Sequence, residues 1–176
     1  MQTVITSSPF FKLSALSAKI KESVPLFVAI QFFTPINFEK AFSKFIGLKH
    51  CIATNTGTDS LILALKSLDL KKGDEVITPS FNNIADLQAI LAVGAKPVFC
   101  DIDVDTLCID LTQAETLIGP KSKAIIVMDY GCMLSDHDRV KKLADKYSLR
   151  VIHDAAHSLG SKYKGRPVGS FSDICM

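Results

Sequence analysis

A mostly parallel α/β sheet with helices on both faces is the fold class this sequence predicts, and three observations carry that expectation. From Asn37 onward, short apolar runs rich in β-branched residues alternate with stretches of helical periodicity, the pattern of strand, turn and helix units. The strand runs are apolar on successive residues instead of every second one, so both of their faces are covered. Glycines and prolines fall between the units and not inside them.

Residues 1–36 are the least readable part. They hold the Ser/Thr-rich Thr6-Ser-Ser-Pro9, a helical stretch from Ser14 to Val24 and an apolar run closed by Pro35, and are expected to form an N-terminal arm or partner-facing helix. Residues 37–176 then read as one domain. Phe38, Ala41, Phe42, Phe45 and Ile46 recur at helical spacing, with Asn37 as the expected N-cap and Gly47 as the stop. His50 to Thr54 is a strand that runs into Asn55-Thr-Gly-Thr-Asp-Ser60, after which Leu61, Leu65 and Leu68 mark a helix. The same alternation continues with strands at 75–78, 97–100, 124–128 and 149–153 and helices at 83–93, 111–118 and 136–147. Ser172 to Met176 reads as the start of another strand.

Composition narrows the function classes. At 176 residues and 48% apolar, the chain can bury a core of ordinary size. A net charge of +2, spread over mixed acids and bases, gives no basic stripe for nucleic acid. Five scattered cysteines without a C-x-x-C pair suggest a reducing, cytoplasmic setting, not a disulfide framework or zinc site. Val24 to Phe33 contains Pro25 and Gln31 and is too short to span a bilayer, so no membrane association is expected.

Ligands of parallel α/β sheets sit beyond the carboxyl ends of the strands, and several strands here end in polar or aromatic groups. Asp154 falls where the last long strand gives out, followed by the small Ala155 and Ala156. Taken alone it reads better as an N-cap for the following turn. The Asn55–Ser60 turn combines a glycine, hydroxyls and free N–H groups at a helix start, a recipe for holding phosphate; capping by Thr58 is the competing reading. In the phosphate reading Thr58 gives its hydroxyl and Asp59 and Ser60 their main-chain N–H groups. Phe81, Asn83, Asp129 and Tyr130 lie at other strand ends on the same edge, and His157, three residues past Asp154, is placed to face the same cavity. His153 is expected to point into the core. Asp101 and Asp103 look superficially like metal ligands, but no His or third carboxylate accompanies them, so they read as turn formers and no metal is expected.

In combination, Phe38-Glu-Lys-Ala-Phe42, Asn55-Thr-Gly-Thr-Asp-Ser-Leu61, Gly73-Asp-Glu-Val-Ile-Thr-Pro-Ser80, Gly94-Ala-Lys-Pro-Val-Phe-Cys-Asp-Ile-Asp103, Asp129-Tyr-Gly131 and Asp154-Ala-Ala-His-Ser-Leu-Gly160 resemble the DegT/DnrJ/EryC1/StrS family. These are pyridoxal-phosphate-dependent sugar aminotransferases with the aspartate aminotransferase (type I) fold. The resemblance implies that Gly57, Thr58 and Asp59 hold the cofactor phosphate, that Asp154 pairs with the pyridine nitrogen, and that His157 lies near the ring hydroxyl. It also implies a homodimer that takes a nucleotide-linked keto sugar and an amino-acid donor such as glutamate, in nucleotide-sugar and cell-surface polysaccharide biosynthesis.

Two departures stand out. Asn83 occupies the place where the family usually has an aromatic residue stacked on the ring, so either Phe81 supplies that surface or cofactor binding here is unusual. The family's Schiff-base lysine follows the Gly-Ser-Phe-Ser-Asp173 segment, and no lysine here, Lys162 and Lys164 included, stands at the matching position. The chain is therefore expected to be a truncated large domain, without the C-terminal half and small domain, and inactive by itself. Two rivals are a non-catalytic binding or regulatory half-protein of the same fold and an unrelated Rossmann-like nucleotide binder.

Overall fold

The computed structural model describes the backbone of residues 2–6 and residues 35–176. One parallel sheet organises it. Its strands are β1 (Gln2–Thr6), β2 (His50–Thr54), β3 (Glu75–Pro79), β4 (Lys96–Cys100), β5 (Ser122–Met128), β6 (Arg150–Asp154) and β9 (Ile174–Cys175), in the order β2-β1-β9-β6-β5-β3-β4. Every pairing in that sheet is parallel. A short antiparallel ribbon of β7 (Lys162–Tyr163) and β8 (Arg166–Pro167) stands apart from it.

The helices are α1 (Pro35–Ile46), α2 (Gly57–Ser67), α3 (Ala85–Ala92), α4 (Leu111–Leu117) and α5 (His137–Tyr147). They cover both faces, and the strand pleat sorts the core accordingly. Val76, Ala124, Ile126, Ile152 and Ile174 pack with Leu61, Ala64 and Leu65 of α2 and Ala89 and Ile90 of α3. The alternate residues Ile77, Ile125, Val127 and Val151 pack with Leu111 and Ala114 of α4 and Val140, Leu143 and Ala144 of α5. The strand residues of both clusters are at most 5% exposed, as expected for a sheet covered on both sides.

Local chemistry explains the boundaries. α1 begins at Pro35 and not after Asn37, because proline's fixed φ suits the first helical turn and its missing N–H costs nothing there. Gly47, at φ +73°, ends it, and the Leu48 N–H bonds back to the Ser43 carbonyl at 2.9 Å. Asp110 and Asp136 cap α4 and α5 by accepting N–H groups from Thr112 and Gln113, and from Arg139.

The N-terminal expectation needs correction. Gln2–Thr6 is not part of an arm but a strand of the main sheet, paired in parallel with β2 and β9. Thr3-Val-Ile-Thr6 is β-branched at every position, and that local preference outweighs the Ser/Thr-rich turn residues that follow. The helix expected from Ser14 to Val24 lies outside the described residues. Among the described residues, no helix is long and apolar enough to cross a membrane.

Candidate active site at the carboxyl edge of the sheet

All long strands run the same way, so Thr54, Pro79, Met128 and Asp154 end on one edge. The pleat then decides which face each residue serves. Asp154 follows Ile152 by two, so it emerges on the face covered by α2 and α3. Thr78 shares the parity of Val76 and reaches that same face. Asp129 follows Val127 by two and turns to the opposite face, where α4 and α5 lie.

On the α2/α3 face, Asp154 is 5% exposed and its Oδ1 accepts the Ala156 N–H at 3.0 Å. Burial raises its pKa above the usual carboxylate range, against the lowering effects of the Ala156 N–H, His153, the Asn82 amide and His157. A buried acid of this kind is stabilised by any cation that settles beside it. The start of α2 lies over the same face, and Leu61, one turn in from Gly57, packs in the cluster that holds Ile152 and Ile174.

That helix start is built differently from either sequence reading. The cap is Thr56 and not Thr58: the Thr56 Oγ1 accepts the Asp59 N–H at 3.1 Å, and its carbonyl accepts the Ser60 N–H at 3.1 Å. The Asp59 and Ser60 amides are thus engaged within the protein, and the exposed Asp59 side chain faces solvent. The N–H groups of Gly57 and Thr58 and the Thr58 hydroxyl have no partner among the described residues. They are the donors left for an anion at the positive end of the helix dipole.

The rim is aromatic. Phe81, 45% exposed, lies against Tyr130 with ring centroids 4.7 Å apart, and His157 meets Tyr130 edge-on at 5.5 Å. The Nδ1 of His157 accepts the Gly131 N–H at 3.1 Å, which fixes the ring and leaves its other nitrogen for a ligand. Asn83 is exposed and does capping work: its Oδ1 accepts the Ala85 N–H at 3.0 Å.

Two features escaped the sequence reading. The first is Asp86, 3% exposed on the first turn of α3, whose Oδ2 accepts the Thr78 hydroxyl at 3.1 Å and the Asn82 amide at 2.6 Å. Its Oδ1 is buried without a hydrogen-bond partner among the described residues. Burial first and the charge of Asp154 second push its pKa up to about 6. It was discoverable, because Asp86 occupies the apolar stripe that continues through Ala89, Ile90 and Val93.

The second is the fate of Asp129, which the strand-end argument had placed in the site. It is wholly buried on the other face, and its carboxylate accepts from the Ser135 N–H and hydroxyl, His137, His153 and Ser158 at 2.8–3.3 Å. Burial alone would raise its pKa, but the His137 and His153 hydrogen bonds outweigh it and hold the acid well below the usual range. His153 points into the core, as expected, with Phe171 4.8 Å away. Asp129, His137 and His153 bring three metal-ligating atoms within 4.8 Å of one another, yet the carboxylate is already saturated by protein donors. Asp103 is a turn former, its Oδ1 accepting the Asp105 and Thr106 N–H groups.

A buried acid, a helix start and a group of aromatic rings thus stand at the carboxyl edge of one parallel α/β sheet. The chain belongs to the DegT/DnrJ/EryC1/StrS aminotransferase family, whose model matches residues 34–176. It is similar to the GDP-perosamine synthase of Caulobacter vibrioides, 41% identical over 138 residues that cover 78% of this chain and 37% of that protein. Among solved structures it resembles the aminotransferase from Psychrobacter cryohalolentis, with a TM-score of 0.80, 34% identity and coverage of 95% of this chain and 42% of that one. NtdA from Bacillus subtilis, solved with bound cofactor PMP, superposes with a TM-score of 0.76 at 32% identity, covering 93% of this chain and 36% of its own. The chain thus spans well under half the length of these relatives.

Proposed function

We propose that these residues form the cofactor-cradling part of a pyridoxal-phosphate-dependent aminotransferase that passes an amino group from an amino acid such as glutamate to a nucleotide-linked keto sugar. The observation that carries this reading is that Asp154 and the Gly57 and Thr58 N–H groups, which have no partner among the described residues, belong to one face of one sheet edge. The relatives support the reaction class: one makes GDP-perosamine, and another holds PMP, the aminated form of the cofactor.

The residues fit the group in kind. Among the described residues, Asp154 is a buried acid without a salt-bridge partner, and α2 opens on amide donors without an acceptor. When bound, the cofactor supplies a ring that withdraws electrons from the carbon bearing the amino group. Asp154 would keep the ring nitrogen protonated, the Gly57 and Thr58 amides with the Thr58 hydroxyl would hold the phosphate, and His157 would approach the ring hydroxyl. Phe81 supplies the stacking surface, because the Asn83 amide is occupied with α3. No residue of this chain is assigned the Schiff-base amine, so its share is to bind, orient and set the ring's charge. A homodimer completes the site on this reading, and the setting is cytoplasmic.

Pyridoxamine phosphate binds without a lysine linkage and is therefore the probe. Titration followed by its fluorescence should be saturable, be competed by inorganic phosphate, and weaken about tenfold or more in Thr58→Ala. Absence of saturable binding, or binding indifferent to phosphate, would overturn the reading. Tight binding of a nucleotide in place of pyridoxamine phosphate would favour the nucleotide-binder rival.

A further inference from the structure

Asp86 has no role in the reading above, yet it sits in the same buried compartment. It approaches from α3 on the face that Asp154 enters from β6, and Thr78 and Asn82 fasten only one of its two oxygens. The Asn82 amide that donates to Asp86 at 2.6 Å also acts on Asp154. Two buried acids thus stand on one face, and one oxygen of Asp86 is sealed from water without a donor among the described residues.

Such a pair has two ways to relieve its repulsion: one member takes a proton, or a cation enters. We propose that Asp86 is a positioning residue for the cofactor ring, a second buried acid, fastened by Thr78 and Asn82, that joins Asp154 in counterbalancing the ring cation. The inference rests on the pyridoxal-phosphate reading. In the ligand-free protein Asp86 carries the proton at and below about pH 6, since its pKa is raised to about that value. Entry of a protonated ring beside Asp154 favours ionised Asp86, so binding releases that proton. The other ionisable groups near the pair are His153 and His157, which flank Asp154, and Cys175 of β9, whose thiol is pushed up to about 12 and stays neutral. Thr78 contributes only a hydroxyl.

The test is pyridoxamine phosphate affinity from pH 5 to pH 8 in the wild-type chain and in Asp86→Asn. Comparing the two proteins cancels the ligand's own ionisations. The expected ratio of dissociation constants, variant over wild type, is near one at pH 5 and rises to the order of tenfold above pH 7 as wild-type Asp86 ionises. A ratio that stays flat across the range overturns the inference. Should Asp86→Asn fail to fold, Thr78→Val removes a donor to the same carboxylate and should move the wild-type pH step upward. An unmoved step would equally overturn it. Wild-type chain that binds no pyridoxamine phosphate at any pH would instead refute the underlying cofactor assignment.

Discussion

At the scale of single residues, two buried acids have opposite linkage to pH. Asp129 has its pKa depressed on folding, so it stabilises the protein above the unfolded carboxylate value of about 4 and loses that contribution as pH falls further. Replacing it by Asn leaves several buried donors competing for one amide oxygen, and should cost about 3 kcal/mol at pH 7. Urea unfolding at pH 7 and at pH 3.5 should show that penalty shrink in acid; a pH-independent penalty would contradict it. Asp86 has its pKa raised, so its folded form is favoured most in acid and loses stability as pH climbs from about 4 past about 6. Ligand-free Asp86→Asn should therefore be more stable than wild type at pH 7.5, by up to about 3 kcal/mol, with the difference gone near pH 4. An acid that weakens the empty protein at neutral pH is best explained by what it does when the site is filled.

Among the elements, the start of α2 separates capping from binding. Thr56→Ala removes the side-chain cap and should cost about 1 kcal/mol of stability. Thr58→Ala removes a hydroxyl with no partner among the described residues and should leave stability within about 0.5 kcal/mol while weakening phosphate binding. Thermal unfolding of the two variants distinguishes them. The turn before β9 is a second sensitive place. Gly169 has φ +89°, and a Cβ there would lie 2.7 Å from the Cys175 Sγ and 2.9 Å from its Cβ. Gly169→Ala should thus push β9 away from its neighbours and destabilise the chain by more than about 2 kcal/mol; a silent substitution would mean that this segment packs otherwise. These element-scale features were unevenly readable in the sequence. The main helices follow from their period and the long strands from their continuous apolar runs, whereas the ribbon of β7 and β8 was not read from the sequence. The Thr56 cap and the Pro35 start depend on which of several neighbouring candidates wins, and spacing does not decide that.

For the whole molecule, the parallel sheet with helices on both faces was legible because strands buried on both sides must be apolar throughout. The place of Asp154 at a strand end was legible because the apolar run stops there. The pleat was the missing step. Its two-residue period ties Asp129 to the face of Val127 and Asp154 to the face of Ile152, and the pairing of Ile126 with Ile152 makes those faces opposite. The place of Gln2–Thr6 between β2 and β9 was beyond pattern reading, since a five-residue strand does not name its neighbours. The central claim is that this edge holds a pyridine ring whose nitrogen is kept protonated by Asp154. Nitrogen-15 NMR of ring-labelled pyridoxamine phosphate bound at pH 7.5 tests it most directly. A pyridinium shift in the wild-type complex that is lost in Asp154→Asn is the result expected. A neutral ring nitrogen in the wild-type complex, or a pyridinium shift that survives the substitution, would contradict it.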